Sequence, residues 1–270
     1  MCEKELIYLI SWRLIYNHFW GFNRYIATEL CLCSVADLFQ PHLNKQIPIE
    51  DILTSLTPKG ILFQATRGLD YLHLNHFVHR NVKPSSFLIK EVQTRDGLVG
   101  YAIKITDFRL SRQLDPTKDL SGTVASEGWE APESRREKQA LQKSLDVFIL
   151  GCFYHYVLTG TGEEKNPTHP FGDREMTRLA NIPDPKNVVY KKSWEPKNVN
   201  NELAADLIKK MIRFEEKHRP TLSQVMEDVY FKPSTKDYYA IYDHPHPGLC
   251  VIFNQERFTG VSIIISIIYL

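Results

Sequence analysis

A chain of 270 residues with 43% hydrophobic and 24% charged side chains can bury one large or two modest cores, which excludes disorder of the whole chain. With 33 basic against 32 acidic residues the formal charge is only +1, so composition gives no support to a protein that coats nucleic acid or a membrane surface. The five cysteines are odd in number and form no CxxC pair, which excludes a disulfide scaffold or a thiolate zinc site and points to reduced thiols in a cytoplasmic protein.

Met1 is followed by the charged "CEKE" and then by the short apolar "LIYLISW", which reads as an element of a fold rather than a secretory leader. "RYIATELC" (24–31) mixes β-branched, aromatic and polar residues and predicts a strand, and "SVADLF" after it predicts a short helix capped by Ser34. Ile61, Leu62, Ala65, Leu69 and Leu72 fall at helical spacing, so residues 56–74 should form a long amphipathic helix. It runs directly into "FVHRNVKPSSFLI" (77–89). "SFLIK" and "YAIKITDF" are short apolar strands separated by a turn at "TRDG".

From residue 144 "SLDVFILGCFYHYVLTG" is apolar throughout and predicts a helix buried on most sides, ended by Gly160 and Gly162. "NNELAADLIKKMIRFEEKHRP" predicts a further helix with Leu203, Leu207, Ile208 and Met211 on one face and a stop at Pro220; "TLSQVMEDVYF" predicts a final short helix capped by Thr221. Residues 50–232 are therefore mostly helical. Neither an internal repeat nor a low-complexity linker interrupts them.

The order of "TELC", "HRNVKPSSFLI", "ITDFRL", "SEGWEAPE", "DVFILG" and "HRP" resembles the C-terminal lobe of a protein kinase. "YIATELC", "GWEAPE", "DVFILGCFYHYVL" and "HPFG" are most similar to the unfolded-protein-response sensors that are both kinase and endoribonuclease, and to the 2-5A-dependent ribonuclease. The likeness covers about residues 13–232. It implies an α+β, protein-kinase-like fold: a truncated N-lobe remnant over 1–28, a mainly helical C-lobe over 29–233, and a tail over 234–270. It also implies structural roles for His79, Arg80 and Gly151, an ion pair between Glu133 and Arg219, and an Asp146 that accepts hydrogen bonds from the catalytic-loop backbone. Glu29 and Cys31 take the hinge positions where a nucleotide base would lie.

The catalytic positions depart from the family pattern. Where kinases carry His-Arg-Asp and, five residues later, Asn, this chain has Asn81 and Ser86. An amide is no base at neutral pH, so a rate contribution of about 10² to 10⁴ should be missing, and Ser86 is a poorer ligand for a hard cation than Asn. The metal-binding Asp is kept as Asp107, but the following Phe108 leads to Arg109 instead of Gly, and pairing of Arg109 with Asp107 is the expected substitute for magnesium. Lys83, which in active relatives contacts the transferred phosphate, remains.

Ahead of Glu29 there are 28 residues and no Gly-rich loop or strand lysine of the kind the family uses over the phosphates. "EKELIYLISW" reads either as a remnant of the helix carrying the lysine's glutamate partner, with Glu5 the better candidate, or as an arbitrary amphipathic helix. The activation segment offers Ser111, Thr117, Ser121, Thr123 and Ser126 as phosphorylation sites. "YDHPHPGLCVIFNQERFTG" (242–260) resembles the first strand of a caspase domain, and reads equally as a plain buried strand. The apolar "VSIIISIIYL" (261–270) is about half the length of a membrane helix.

The expectation is thus a pseudokinase that scaffolds or regulates stress or death signalling through protein partners, with dimerisation implied by the resemblance and nucleic acid disfavoured. The alternative is a working serine/threonine kinase. ATP and Mg²⁺ are the cofactors if nucleotide binding is retained; otherwise there is none.

Overall fold

In the computed structural model the described residues are 16–20, 23–27, 29–39, 47–93, 99–114, 128–135, 142–162, 165–184 and 199–232. The expected N-terminal helix, most of the phosphorylation candidates and the tail that resembles the start of a caspase domain lie outside them.

Strands β1 (Tyr16–Trp20) and β2 (Asn23–Ala27) form an antiparallel hairpin, with Tyr16 opposite Ala27. The expected strand ends at Ala27, and the "ELC" stretch is irregular. A short strand β3 (Cys33–Ser34) follows, and Ser34 caps α1 (Val35–Leu38) in a reciprocal capping box with Asp37. Next come α2 (Ile49–Ser55), which periodicity did not reveal because it is barely two turns long, and α3 (Pro58–Leu74). The long helix starts at Pro58 rather than Leu56: Thr57 accepts the Gly60 amide and proline occupies the first turn, where its missing N–H costs nothing.

Beyond α3 lie β4 (Phe77–Val78), β5 (Phe87–Gln93), β6 (Val99–Ile105) and β7 (Arg112–Gln113). β5 and β6 make the central antiparallel ladder, from Phe87 opposite Ile105 to Gln93 opposite Val99, with β3 on the other edge of β5; β4 pairs with β7. The helical remainder is α4 (Ser144–Gly160), α5 (Glu175–Asn181), α6 (Val199–Met211) and α7 (Leu222–Met226). α6 ends at Met211, well before Pro220, and "EKH" makes a separate 3₁₀ turn. Thr221 and Gln224 cap α7 reciprocally.

One apolar core joins these parts. α4 is buried at nearly every position, as a helix apolar all round must be, and packs against α3 and α6. Gly151 makes that approach feasible: a β-carbon there would come within 2.7 Å of Ile212 Cγ2 and 2.9 Å of Met211 Cβ. Tyr154 of α4 satisfies its hydroxyl against Thr66 of α3, whose own hydroxyl donates to the Leu62 carbonyl at 2.8 Å. Phe87, Ile89, Ile103 and Ile105 turn the inner face of the β5–β6 ladder onto the helices, so the loops at its ends are held on a rigid base.

Candidate functional site

The loop between β4 and β5 takes its shape from one buried acid. Asp146, in the first turn of α4, is fully enclosed. Its Oδ2 accepts the His79 amide at 2.7 Å and lies 2.9 Å from His73 Nε2, while Oδ1 accepts the Arg80 amide at 2.8 Å. Burial alone would raise its pKa, yet the hydrogen bond from His73, the two imidazoles and the His79 amide hold the carboxyl below the usual carboxylate range. Arg80 is thereby kept at φ 66°, a left-handed conformation that an arginine adopts only where its surroundings enforce it.

His79 Nε2 lies 2.9 Å from the Thr106 carbonyl and so must carry the proton, leaving Nδ1 to accept the Asn81 amide at 3.2 Å. The Phe108 ring meets the His79 ring edge to face at 5.1 Å, and the Ser111 hydroxyl donates to the His79 carbonyl at 3.1 Å. Ser111 is buried. It therefore drops out of the set of phosphorylation candidates, because its hydroxyl is a strut of the loop.

Asn81 and Asp107 meet directly. Asn81 Nδ2 donates to Asp107 Oδ2 at 2.6 Å, and Arg109 adds two further bonds, Nε to Oδ1 at 2.7 Å and an Nη to Oδ2 at 3.1 Å. The Arg109 guanidinium holds the Asp107 carboxyl below its ordinary pKa, with burial opposing part of the shift and the charges of Lys83 and His79 adding to it. Asp107 itself sits at φ 65°. Ser86, fully buried, donates its hydroxyl to the Asn81 carbonyl at 2.6 Å, and its backbone bonds Lys83 and Thr106.

A magnesium ion needs oxygen ligands with lone pairs turned toward it. Three N–H groups already occupy the Asp107 carboxylate, two on Oδ2 and one on Oδ1, and the Ser86 hydroxyl is committed to the backbone, so a metal at Asp107 would compete with Arg109 for the same oxygens.

Glu29, at the expected hinge position, is bound by Lys90 and lies 3.5 Å from Lys104 Nζ. Lys104 is enclosed, and burial lowers its pKa although Glu29 opposes the shift. The two lysines lie on one face of the β5–β6 ladder, as period-two spacing requires; what sequence reading missed was their partner, more than sixty residues earlier in the chain. Cys31 is half-buried beside Glu29, and burial pushes its thiol upward. Glu133 and Arg219 form a two-pronged pair at 2.5 and 2.8 Å.

Two buried histidines set a pH dependence. Burial pushes the pKa values of His79 and His169 below the ordinary value; Asp146 and the Thr106 carbonyl oppose the shift at His79, whereas Arg178 and His155 reinforce it at His169. Below about pH 6.5 the unfolded chain gains protons that the folded one refuses, so each group removes up to ~1.4 kcal/mol of stability per pH unit until its folded pKa is reached. The melting temperature should stay level down to about pH 7 and fall steadily from there toward about pH 5. A level profile across that window would contradict the burial of these rings.

Sequence comparison places the arrangement among known proteins. The model of the protein kinase domain matches residues 14–231. The chain is similar to the serine/threonine-protein kinase/endoribonuclease ire-1 of Caenorhabditis elegans, 33% identical over 223 residues, covering 79% of this chain and 21% of that protein. It is likewise similar to the sensor for unfolded proteins in the ER, ire1, of Schizosaccharomyces pombe, at 32% over 231 residues, or 77% of this chain and 20% of that protein. A third relative is the human serine/threonine-protein kinase/endoribonuclease IRE2, at 30% over 214 residues, 77% of this chain and 21% of that protein. The chain thus spans about a fifth of the length of these relatives.

Proposed function

The chain belongs to the protein kinase family, related to the stress-sensor kinases, and from that premise we propose that it is a pseudokinase, a kinase fold that docks or regulates signalling proteins without transferring phosphate. The observation that carries this reading is the bond from Asn81 Nδ2 to Asp107 at 2.6 Å. Where the reaction needs an oxygen that accepts the substrate's proton, the site presents an amide already donating to its neighbour.

The same reading extends to the rest of the notable features. On this reading the N-lobe portion lies over 1–28 and the C-lobe over 29–233, and the tail over 234–270 is either the start of a caspase-like domain, which would join a kinase fold to a death signal in one protein, or a plain strand. The partners are then proteins, dimerisation follows the stress-sensor relatives, and the compartment is the cytoplasm. Among the described residues no helix is long and apolar enough to cross a membrane. Lys83, whose charge helps to hold the Asp107 carboxyl ionised, favours the second reading, an active serine/threonine kinase.

Transfer of labelled phosphate from ATP to a generic protein substrate separates the two. The wild-type chain should give no more transfer than Asp107→Ala, and the pair Asn81→Asp with Arg109→Gly should raise transfer by about 10² or more, since it restores the base and frees the acid. Wild-type transfer that disappears in Asp107→Ala would establish the active kinase instead.

A further inference from the structure

We infer that the site at Asp107 takes the polyphosphate of a nucleotide without a divalent cation, Arg109 standing where the metal would be. The inference rests on the kinase reading of the site but not on whether phosphate is transferred.

Charge is the first reason. Relative to the family pattern, Asn81 removes one negative charge and Arg109 adds one positive charge, so together the two departures supply the double positive charge that a magnesium ion would bring. Asp107 is left with Arg109 bound to it and Lys83 acting on it, and this trio is net positive before any ion arrives. A divalent cation would meet repulsion there, and a polyphosphate attraction.

Geometry is the second reason. Arg109 spends only two of its five N–H groups on Asp107, and its side chain is 80% exposed, so the outer edge of the fork faces solvent. Asp107, itself held by the Asn81 amide, grips the inner edge of that fork, and a guanidinium fixed in this way matches phosphate oxygens two at a time with little further ordering to impose. Lysine at this position would provide charge without the fork.

Calorimetric titration of the full chain with ATP, once in EDTA and once in excess magnesium, tests this. Binding in EDTA should be at least as tight as in magnesium, and Arg109→Gly should weaken the EDTA value by about tenfold or more. Arg109→Lys should fall between the two; if Arg109→Gly does not fold, an Arg109→Lys affinity equal to wild type would overturn the inference. Binding that needs magnesium, or no binding in either buffer, would also overturn it. Both outcomes leave the pseudokinase proposal standing, which falls only to phosphate transfer. In competition, displacement of ATP by both inorganic triphosphate and adenosine supports a nucleotide site. Displacement by triphosphate alone supports the anion site and widens it to polyphosphates at large, and displacement by adenosine alone overturns it.

Discussion

Glu133→Ala is expected to destabilise the protein by about 3–5 kcal/mol, a large share of the ~5–15 kcal/mol that holds a typical domain folded. Arg219 is enclosed and uses all five of its N–H groups: two on Glu133, and one each on the carbonyls of Arg213, Phe214 and Ser144. Its guanidinium also lies over the Phe148 ring at 4.8 Å. Removing the carboxylate leaves a buried cation with no counter-charge, while the three carbonyls keep it from escaping to water. Urea unfolding should show the loss as a lower midpoint. The double variant Glu133→Ala with Arg219→Met should recover part of it, because the stranded charge is gone. A midpoint for Glu133→Ala within error of wild type would mean that the end of the activation segment is not anchored here.

The second large effect is expected at Asp146. Asp146→Ala strands the amides of His79 and Arg80 and the ring nitrogen of His73 in a buried site, at a cost of roughly 2–5 kcal/mol. Asp146→Asn should be nearly as damaging. Its oxygen can replace only one of the two carboxylate oxygens, and its NH₂ would then point at an N–H. Hydrogen exchange at the His79 and Arg80 amides is the direct readout: protection should collapse at both while helix α3 retains it. Unchanged protection would show that the loop is held by its strands alone. The left-handed Arg80 makes the expected effect local as well as global, since the strain at φ 66° persists only while both amides are tethered.

Much of the fold was legible because its signals are local. The spacing of Ile61, Leu62, Ala65, Leu69 and Leu72 set out α3, the unbroken apolar run set out α4, and Ser34 and Thr221 were readable as caps because a cap acts within three residues. The helices that escaped, α2 and α5, are seven residues each, too short for a period to emerge. The early end of α6 escaped for a different reason. Nothing in "MIRF" forbids a helix, and the turn follows from Arg219 drawing the carbonyls of Arg213 and Phe214 onto its guanidinium.

At the site, residue identity and residue position divide the same way. The sequence alone determined what these two side chains cannot do, because an amide at Asn81 cannot take a proton at neutral pH and an arginine at Arg109 cannot lose one, wherever the chain places them. Only the tertiary structure decided what those side chains do instead. Asn81 is 26 residues from Asp107 and Asp146 is 66 from Arg80, and hydrogen bonds over such separations depend on how the β5–β6 ladder and α4 pack. The same holds for Ser111, whose hydroxyl looked available in the sequence and is turned inward by the packing. Local propensity and composition reach only a few residues along the chain, whereas burial, which determines whether a polar group serves the fold or a ligand, belongs to the folded whole.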